Sequence, residues 1–406
     1  MEYTKLKKEL DSLNFDKSHF VNSNDICTPM NCVEDMVDAI PEELWKRENI
    51  KVLDPCCGNG NFPAYLKEKI NNTGKLFLNE INEKRIKNIE KFFSNVTLTK
   101  KDFFDFKDDE EYDLVIANPP YAKFDMNGFR TAKNHNLSRE FVKKALLVLK
   151  ENGYLVFIIP DNWMSLSDRN DIVELLSKYQ FIYLNIHGAK KYFPSVGSSF
   201  TWFVVQKKEN NQKFIIDNFY KKKEKSLTSI DNNIRSIPLF YNDKVKSIIN
   251  KTLFIDNKKV KIETTSDLHK YTKKKNLSKD KTDKFKYPIW HTQNQKIYSD
   301  RPHKFQDGWK VYISLTSYYS TFIDNNTGMT QSIGFVRCDS EKEAKSIKEM
   351  LDHPLYIFLN NIHRYGNFNN NRILQLFPLC LEKDIFNCFN ITEKEKEFIL
   401  DFLKKA

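Results

Sequence analysis

No stretch of this chain approaches the roughly 18 uninterrupted apolar residues that a membrane span needs. The first residues, Met1-Glu2-Tyr3-Thr4-Lys5-Leu6-Lys7-Lys8-Glu9, mix both charge signs ahead of any apolar run, so no secretory signal is expected there. Seven cysteines are an odd number, and none stands in a C-x-x-C pair. Cys56 and Cys57 are adjacent, a poor placement for two ligands of one zinc ion. These absences predict a cytoplasmic protein with reduced thiols, no structural metal and no membrane partner. No segment recurs at a fixed period, which argues against a solenoid or propeller.

What is present is enough to fold. The 406 residues are 40% hydrophobic and 14% aromatic, a length and content that predict two domains with real cores. Lys and Arg number 65 against 54 Asp and Glu, a net charge of +11. That balance suits a polyanionic partner such as nucleic acid. A Lys- and Asn-rich composition from an AT-rich genome raises it equally well, so charge alone decides nothing. Basic residues outnumber acidic ones from Glu224 to Lys286, with clusters at Lys221-Lys222-Lys223 and Lys273-Lys274-Lys275. Up to about Lys208, apolar runs alternate with helical spacing: Lys51-Val52-Leu53, Leu76-Phe77-Leu78, Tyr112 to Ala117, Tyr154 to Ile159 and Thr201 to Val205. That alternation predicts an α/β fold with an open parallel sheet, and the break between domains is expected between Lys208 and Lys223. Farther on, Trp309 to Ser314 and Ser332 to Val336 read as strands, and Lys342 to Leu359 as a helix interrupted near Pro354.

Four motifs carry chemistry. Asp54-Pro55-Cys56-Cys57-Gly58-Asn59-Gly60-Asn61-Phe62 follows a strand; Gly58 and Gly60 permit a tight turn that a ligand can approach, and an acid at the strand tip can bind an amine. Residue 63 is Pro, so the dinucleotide G-x-G-x-x-G pattern is not met. Glu80 ends the next strand, where a carboxylate can accept both hydroxyls of a ribose; alone it would be a solvated charge. Asp102-Phe103 pairs an acceptor for an adenine amine with a ring to pack on it. Asn118-Pro119-Pro120-Tyr121 follows Val115-Ile116-Ala117. Two prolines hold the backbone extended and remove two donors, so an amide oxygen, a free carbonyl and an aromatic ring together suit a planar group bearing an NH2.

In this order the four motifs resemble the S-adenosylmethionine-dependent amino-methyltransferases, and their arrangement is similar to the gamma-type N6-adenine DNA methyltransferases of restriction-modification systems. Thr28-Pro29 with Val33 and Met36, Phe141 to Ala145, Gly153 to Trp163, and Phe193-Pro194 extend the resemblance over about Asp25 to Lys208. Beyond that it is looser, resting on Gly328 to Ser332 and Asn371-Arg372-Ile373-Leu374. The resemblance implies a Rossmann-like methyltransferase sheet in residues 1–215, binding S-adenosylmethionine, and a C-terminal mixed α+β target-recognition domain in residues 216–406. It implies that Asp54 holds the methionine amine, with Thr28 near its carboxylate, Gly58 and Gly60 in the turn beneath, and Glu80 on the ribose. Asp102 takes the adenine amine, and Phe103 and Phe141 line the adenine.

By the same resemblance Asn118 and Pro119 accept the two hydrogens of the target amine, Pro120 completes the element, and Tyr121 stacks on the base. Phe193, in preference to Phe200, is the second stacking ring. Implied partners are double-stranded DNA, for which the chain acts as a monomer, and a separate cognate restriction endonuclease, the alternative being an orphan modification enzyme without one. In the loop from Arg364 to Arg372, Asn can pair with adenine and Arg with guanine, which makes Arg364, Asn371 and Arg372 candidate base readers beside the plain reading of an Asn-rich loop. Glu343-Ala344-Lys345 lacks a preceding Pro-Asp on a strand and reads as a charged helix face, so no DNA cleavage is expected. Rival readings are glutamine methylation of a protein, RNA amino-methylation, N4-cytosine methylation, and a silent DNA-binding module.

Overall fold

The computed structural model describes residues 2–15, 27–107, 111–121, 137–168, 171–193, 199–232, 234–366 and 368–404. Asp25, Pro194 and Asn367 of the motifs above lie outside the described residues. The chain forms two compact units, one of residues 1–164 with 168–237, the other of residues 165–167 with 238–406.

The first unit is built on a nine-stranded sheet. In chain order its strands are β1 (Lys51–Asp54), β2 (Lys75–Asn79), β3 (Thr97–Thr99), β4 (Tyr112–Ala117), β5 (Leu149–Pro160), β6 (Tyr179–Ile186), β7 (Phe200–Glu209), β8 (Phe214–Asn218) and β9 (Glu224–Thr228). Their spatial order is β3-β2-β1-β4-β5-β7-β6-β8-β9. The strands from β3 to β5 are mutually parallel, and β7 runs antiparallel between β5 and β6. All six residues of β4 are buried, as a central strand covered on both faces requires, which is why it reads as an unbroken apolar run. The sheet is thus mixed where the apolar runs alone predicted a parallel one. The unit also extends past the 208–223 break expected from sequence, because β8 and β9 join the sheet at β6. Lysine-rich sequence around 221–225 is a surface of this sheet edge and marks no boundary.

Helices fill the crossovers. Helix Asn61–Lys69 begins after Gly60, whose φ is +97°; a Cβ there would stand 2.4 Å from the Phe93 ring, so glycine is needed both for the turn and for the close approach. Helix Glu83–Phe92 is capped by Asn82, whose side chain accepts from the amides of Lys84 and Arg85.

The second unit is mixed α+β. It holds a four-stranded sheet of order β10-β12-β11-β15, from β10 (Leu277–Ser278), β11 (Tyr287–Thr292), β12 (Gln295–Ser299) and β15 (Gly328–Met329). A three-stranded sheet of order β14-β13-β16 comprises β13 (Trp309–Ser314), β14 (Thr321–Asn325) and β16 (Ile333–Cys338). Helices Glu341–Leu351 and Pro354–Asn361 break at the proline as expected, and Lys345 pairs with Glu341 one turn away on the solvent face. Lys310 on β13 has no exposed surface; its Nζ donates to the carbonyls of Gln306, Asp307 and Gly308 at 3.1, 2.8 and 2.8 Å. Burial pushes its pKa down to about 8. Cys380 and Cys388 are joined by a disulfide, which corrects the expectation of reduced thiols for this pair: their Cα atoms stand 6.9 Å apart although the spacing matches no familiar pattern. Among the described residues no helix is long and apolar enough to cross a membrane.

Candidate active site

The chemistry-bearing residues from four separated motifs meet along one edge of the first unit. Asp54 is the last residue of β1, Glu80 follows β2, Asp102 lies just past β3, and Asn118 follows β4. These strands are parallel neighbours in the order β3-β2-β1-β4, so all four residues stand at their carboxyl ends, where open α/β sheets bind ligands. Asn79, 2% exposed, ties the loops together: its Nδ2 donates to the carbonyls of Pro55 and Lys101, each at 3.0 Å, and Thr99 Oγ1 donates to its Oδ1 at 2.8 Å.

Asp54 is 1% exposed. One carboxylate oxygen accepts the Cys56 amide at 3.2 Å; the other is buried with no partner. Burial pushes its pKa well up, the Cys56 amide works against that, and the nearby Glu80 charge adds to it. A buried carboxylate with an oxygen to spare fits a cationic amine, which would repair both its hydrogen bonding and its charge. Glu80 differs. Gly58, Ile81 and Asn82 all donate backbone amides to it at 2.9 Å, so it organises the glycine turn while burial raises its pKa. At Gly58, φ is +59° and no atom lies within 4 Å of a would-be Cβ, leaving an open cradle beside these carboxylates. Thr28 is buried, and its carbonyl accepts Asn61 Nδ2 at 2.7 Å, which fastens the Thr28–Pro29 segment to the helix after the turn. The donor set therefore suits an amino-acid-bearing nucleoside such as S-adenosylmethionine.

Asp102 caps the short helical turn Phe103–Asp105 by accepting the Phe104 amide at 3.0 Å. Phe103 and Phe141 stack on each other with centroids 5.5 Å apart, and both are buried. The apolar groups that reach the surface here are ones sequence reasoning missed: Ile81, 70% exposed directly after Glu80, and Phe104, 38% exposed and edge-on to Phe141. Their signal was positional, an apolar residue one position past Glu80 and two past Asp102.

Just past β4, Asn118 Oδ1 accepts the Tyr121 hydroxyl, and the Asn118 carbonyl accepts the Cys56 thiol at 3.6 Å. Pro119 is buried and Pro120 exposed. Burial raises the Tyr121 phenol pKa, and burial likewise raises those of the Cys56 and Cys57 thiols, which are therefore not reactive thiolates. The Tyr121 ring packs 5.6 Å from Phe200, and Phe193 packs 5.2 Å from Phe200. The ring in contact with Tyr121 is thus Phe200, at the start of β7, with Phe193 behind it.

A second group at the same edge was also missed. Asp161, directly after β5, accepts Thr201 Oγ1 on one oxygen and pairs with His187 Nδ1 at 2.7 Å on the other. His187 Nε2 meets Ser199 Oγ at 3.2 Å, and the Asp161 amide donates to the Ser199 carbonyl at 3.0 Å. Ser199 and Thr201 flank Phe200, so Asp161 and His187 hold that ring from both sides. In the second unit, the Arg364 guanidinium lies 5.0 Å over the Tyr318 ring, Asn371 opens the short helix Asn371–Leu374 with its Oδ1 buried and unpaired, and exposed Arg372 reaches Gln375 at 3.4 Å. Arg364, Asn371 and Arg372 all belong to the second unit.

Strand order and strand-end carboxylates define a Rossmann-like methyltransferase sheet. Residues 17–193 match the family model described as Eco57I restriction-modification methylase, and in this part the chain is similar to methyltransferases of the restriction-modification type. Among curated proteins, the chain is 27% identical over 136 residues to the type II methyltransferase M.TthHB8I of Thermus thermophilus, a match covering 29% of this chain and 31% of that one. It is 28% identical over 132 residues to the type II methyltransferase M.CvrRI of Paramecium bursaria Chlorella virus XZ-6E, covering 31% and 34%. The chain therefore spans about a third of the length of the curated relatives it matches. Among solved structures, the type IIL restriction-modification enzyme MmeI in complex with DNA is similar in fold, with a TM-score of 0.55 at 11% identity over 91% of this chain and 66% of that one.

Proposed function

We propose that this chain transfers a methyl group from S-adenosylmethionine to the N6 amine of an adenine in duplex DNA. The reading gives the first unit, to residue 237, the catalytic role and the second, from residue 238, target recognition, with a monomer acting inside a bacterial or viral-host cell, beside a separate restriction endonuclease or as an orphan modification enzyme. The observation that carries it is the unpartnered, buried oxygen of Asp54 at the end of β1, beside β4, which leads into the acceptor element Asn118-Pro119-Pro120-Tyr121.

Bound S-adenosylmethionine would supply an electrophilic methyl group. This chain's residues do the rest. Asp54 holds the methionine amine, Thr28 stands by its carboxylate, Gly58 and Gly60 leave room for it, and Glu80 takes the ribose. Asp102 accepts from the adenine amine, with Phe103 and Phe141 as the ring wall. An exocyclic amine is a poor nucleophile because its lone pair is spread into the ring. Asn118 Oδ1 and the Pro119 carbonyl accept its two hydrogens, restore density to the nitrogen and orient the lone pair. Asn118 Oδ1 first exchanges the Tyr121 hydroxyl for the amine, which leaves the Tyr121 ring to stack on the base with Phe193 or Phe200 behind it. Bringing the base out of the duplex costs about a few kcal/mol, offset by stacking and binding contacts.

The test is transfer of labelled methyl from S-adenosylmethionine to unmethylated duplex DNA, with nucleoside analysis and an Asn118→Ala control. N6-methyladenine that vanishes in the control is expected. Label on RNA, on protein or on cytosine would overturn the substrate.

A further inference from the structure

The second unit exposes several large aromatic side chains, among them Phe254 at 44% and Tyr271 at 74%, and two of the most exposed are Tyr318 at 83% and Phe368 at 63%. Isolated exposed rings need no explanation, but these two share one mount. Asn369, 4% exposed, donates its backbone amide to the Leu315 carbonyl at 2.9 Å and its Nδ2 to the carbonyls of Ser314 and Ser317 at 2.6 and 3.2 Å. Its Oδ1 accepts Asn360 Nδ2 at 3.0 Å. The bond between Asn369 and Ser317 therefore pins two loops together, and the exposed rings are the residues adjoining it, Tyr318 after Ser317 and Phe368 before Asn369. Gly366, with φ +69° and no atom within 4 Å of a would-be Cβ, lets the second loop turn in the open. Arg364, before that turn, lays its guanidinium 5.0 Å over the Tyr318 ring.

The composition of the mount points to its occupant. Residues 314–320 and 363–375 contain Arg364 and Arg372 and no Asp or Glu, in a chain of net charge +11. Rings with guanidinium and amide groups, and no carboxylate in their own two segments, match nucleobases and phosphate: a base unstacked at an opened or kinked step of the duplex offers a face to an aromatic ring, and the guanidinium answers the backbone charge. A protein partner of ordinary composition would call for no such exclusion of acids.

We infer that Tyr318 and Phe368, held by Asn369 with Arg364 beside them, form a stacking platform for bases unstacked at an opened step of duplex DNA. This deepens the reading of the chain as a DNA methyltransferase and moves base contact in the Arg364–Arg372 loop from hydrogen bonding by Asn371 and Arg372 to stacking by exposed rings.

The test reads DNA binding independently of methylation, so that its failure and the failure of the proposed reaction are separable. Anisotropy of labelled duplex DNA is measured with the full chain and with the Tyr318→Ala/Phe368→Ala double variant at several salt concentrations. Truncating the rings is expected to weaken binding by about tenfold or more, since stacking is worth about 1–3 kcal/mol per base and a tenfold change is about 1.4 kcal/mol. The slope of log affinity against log salt is expected to stay unchanged, because rings release no counterions, whereas Arg364→Gln lowers the slope by about one. Tyr318→Trp keeps a ring and is expected to keep affinity. Both rings are exposed, so the melting temperature of the double variant should match that of the parent. Unchanged affinity in the double variant, or no duplex binding by the parent chain, overturns the platform, whatever the methylation assay returns.

Discussion

Two aspartates at the same sheet edge show how differently a buried carboxylate can be kept. Asp54 ends β1 and Asp161 directly follows β5, with β4 between these strands, and they are 1% and 5% exposed. Both oxygens of Asp161 are engaged, by Thr201 and by His187, whereas Asp54 has an oxygen that nothing in the described residues satisfies. An unsatisfied buried polar group costs about 1–3 kcal/mol. The molecule thus divides the edge into a half that is internally complete and a half that waits for a ligand. The first shapes; the second binds.

The sharpest way to break this contrast is to remove each carboxylate in turn. Asp54→Ala should weaken S-adenosylmethionine binding by about 2–5 kcal/mol, the range for removing one partner of a buried ion pair, as read by titration calorimetry. Equal affinity in parent and variant would remove Asp54 from the binding half. Asp161→Ala should cost about 2–3 kcal/mol of folding stability by stranding His187 and Thr201, with a much smaller change in cofactor affinity; denaturant unfolding reads the first and calorimetry the second. A variant as stable as the parent would make the completed half ornamental.

The same contrast predicts a pH slope. The folded-state pKa of Asp54 is raised, so above the ordinary carboxyl value of 3.8 the unfolded chain gives up this proton more readily than the folded one. Ligand-free stability from this group is present below that value and is lost as pH rises through the folded pKa. Asp54→Asn should flatten the fall in unfolding free energy between about pH 4 and 7, with Glu80, whose pKa is also raised, contributing alike in both proteins. A steeper fall in the variant would contradict the assignment. The smallest effect belongs to the strand between the two halves. Tyr121→Phe keeps the ring and removes the hydroxyl that occupies Asn118 Oδ1, so kcat/KM should move by less than about tenfold, the worth of one hydrogen bond, while Tyr121→Ala loses more.

Much of this edge was legible in the residues. β1, β2, β4, β5 and β7 announced themselves as apolar runs because a doubly covered strand has no polar face. β6 did not, since Gln180 and Asn185 interrupt Tyr179–Ile186; Gln180 is buried because it bonds the Phe181 and Gln212 carbonyls and the Asn211 and Gln212 amides, partners that folding alone brings. β3, at three residues, is shorter than any pattern can reveal. Asp54, Glu80 and Asn118 were readable because each ends or follows an apolar run, and Asp102 because an aromatic residue follows it. His187 was not: its partners stand 26 and 12 residues away, and no local spacing links them. The pairing of Tyr121 with Phe200, 79 residues on, is likewise a product of β7 turning back against β5.

Lys310 carries a last consequence. Three carbonyl oxygens gathered around one positive charge are what a receptor for a small cation offers, and here the guest hangs from the receptor's own strand. The turn at residues 306–308 therefore closes without drawing an ion from solution, and a chelator or a change of salt has nothing to withdraw. Only the loss of a proton, which burial has brought within reach at about pH 8, exchanges that tethered cation for a neutral amine.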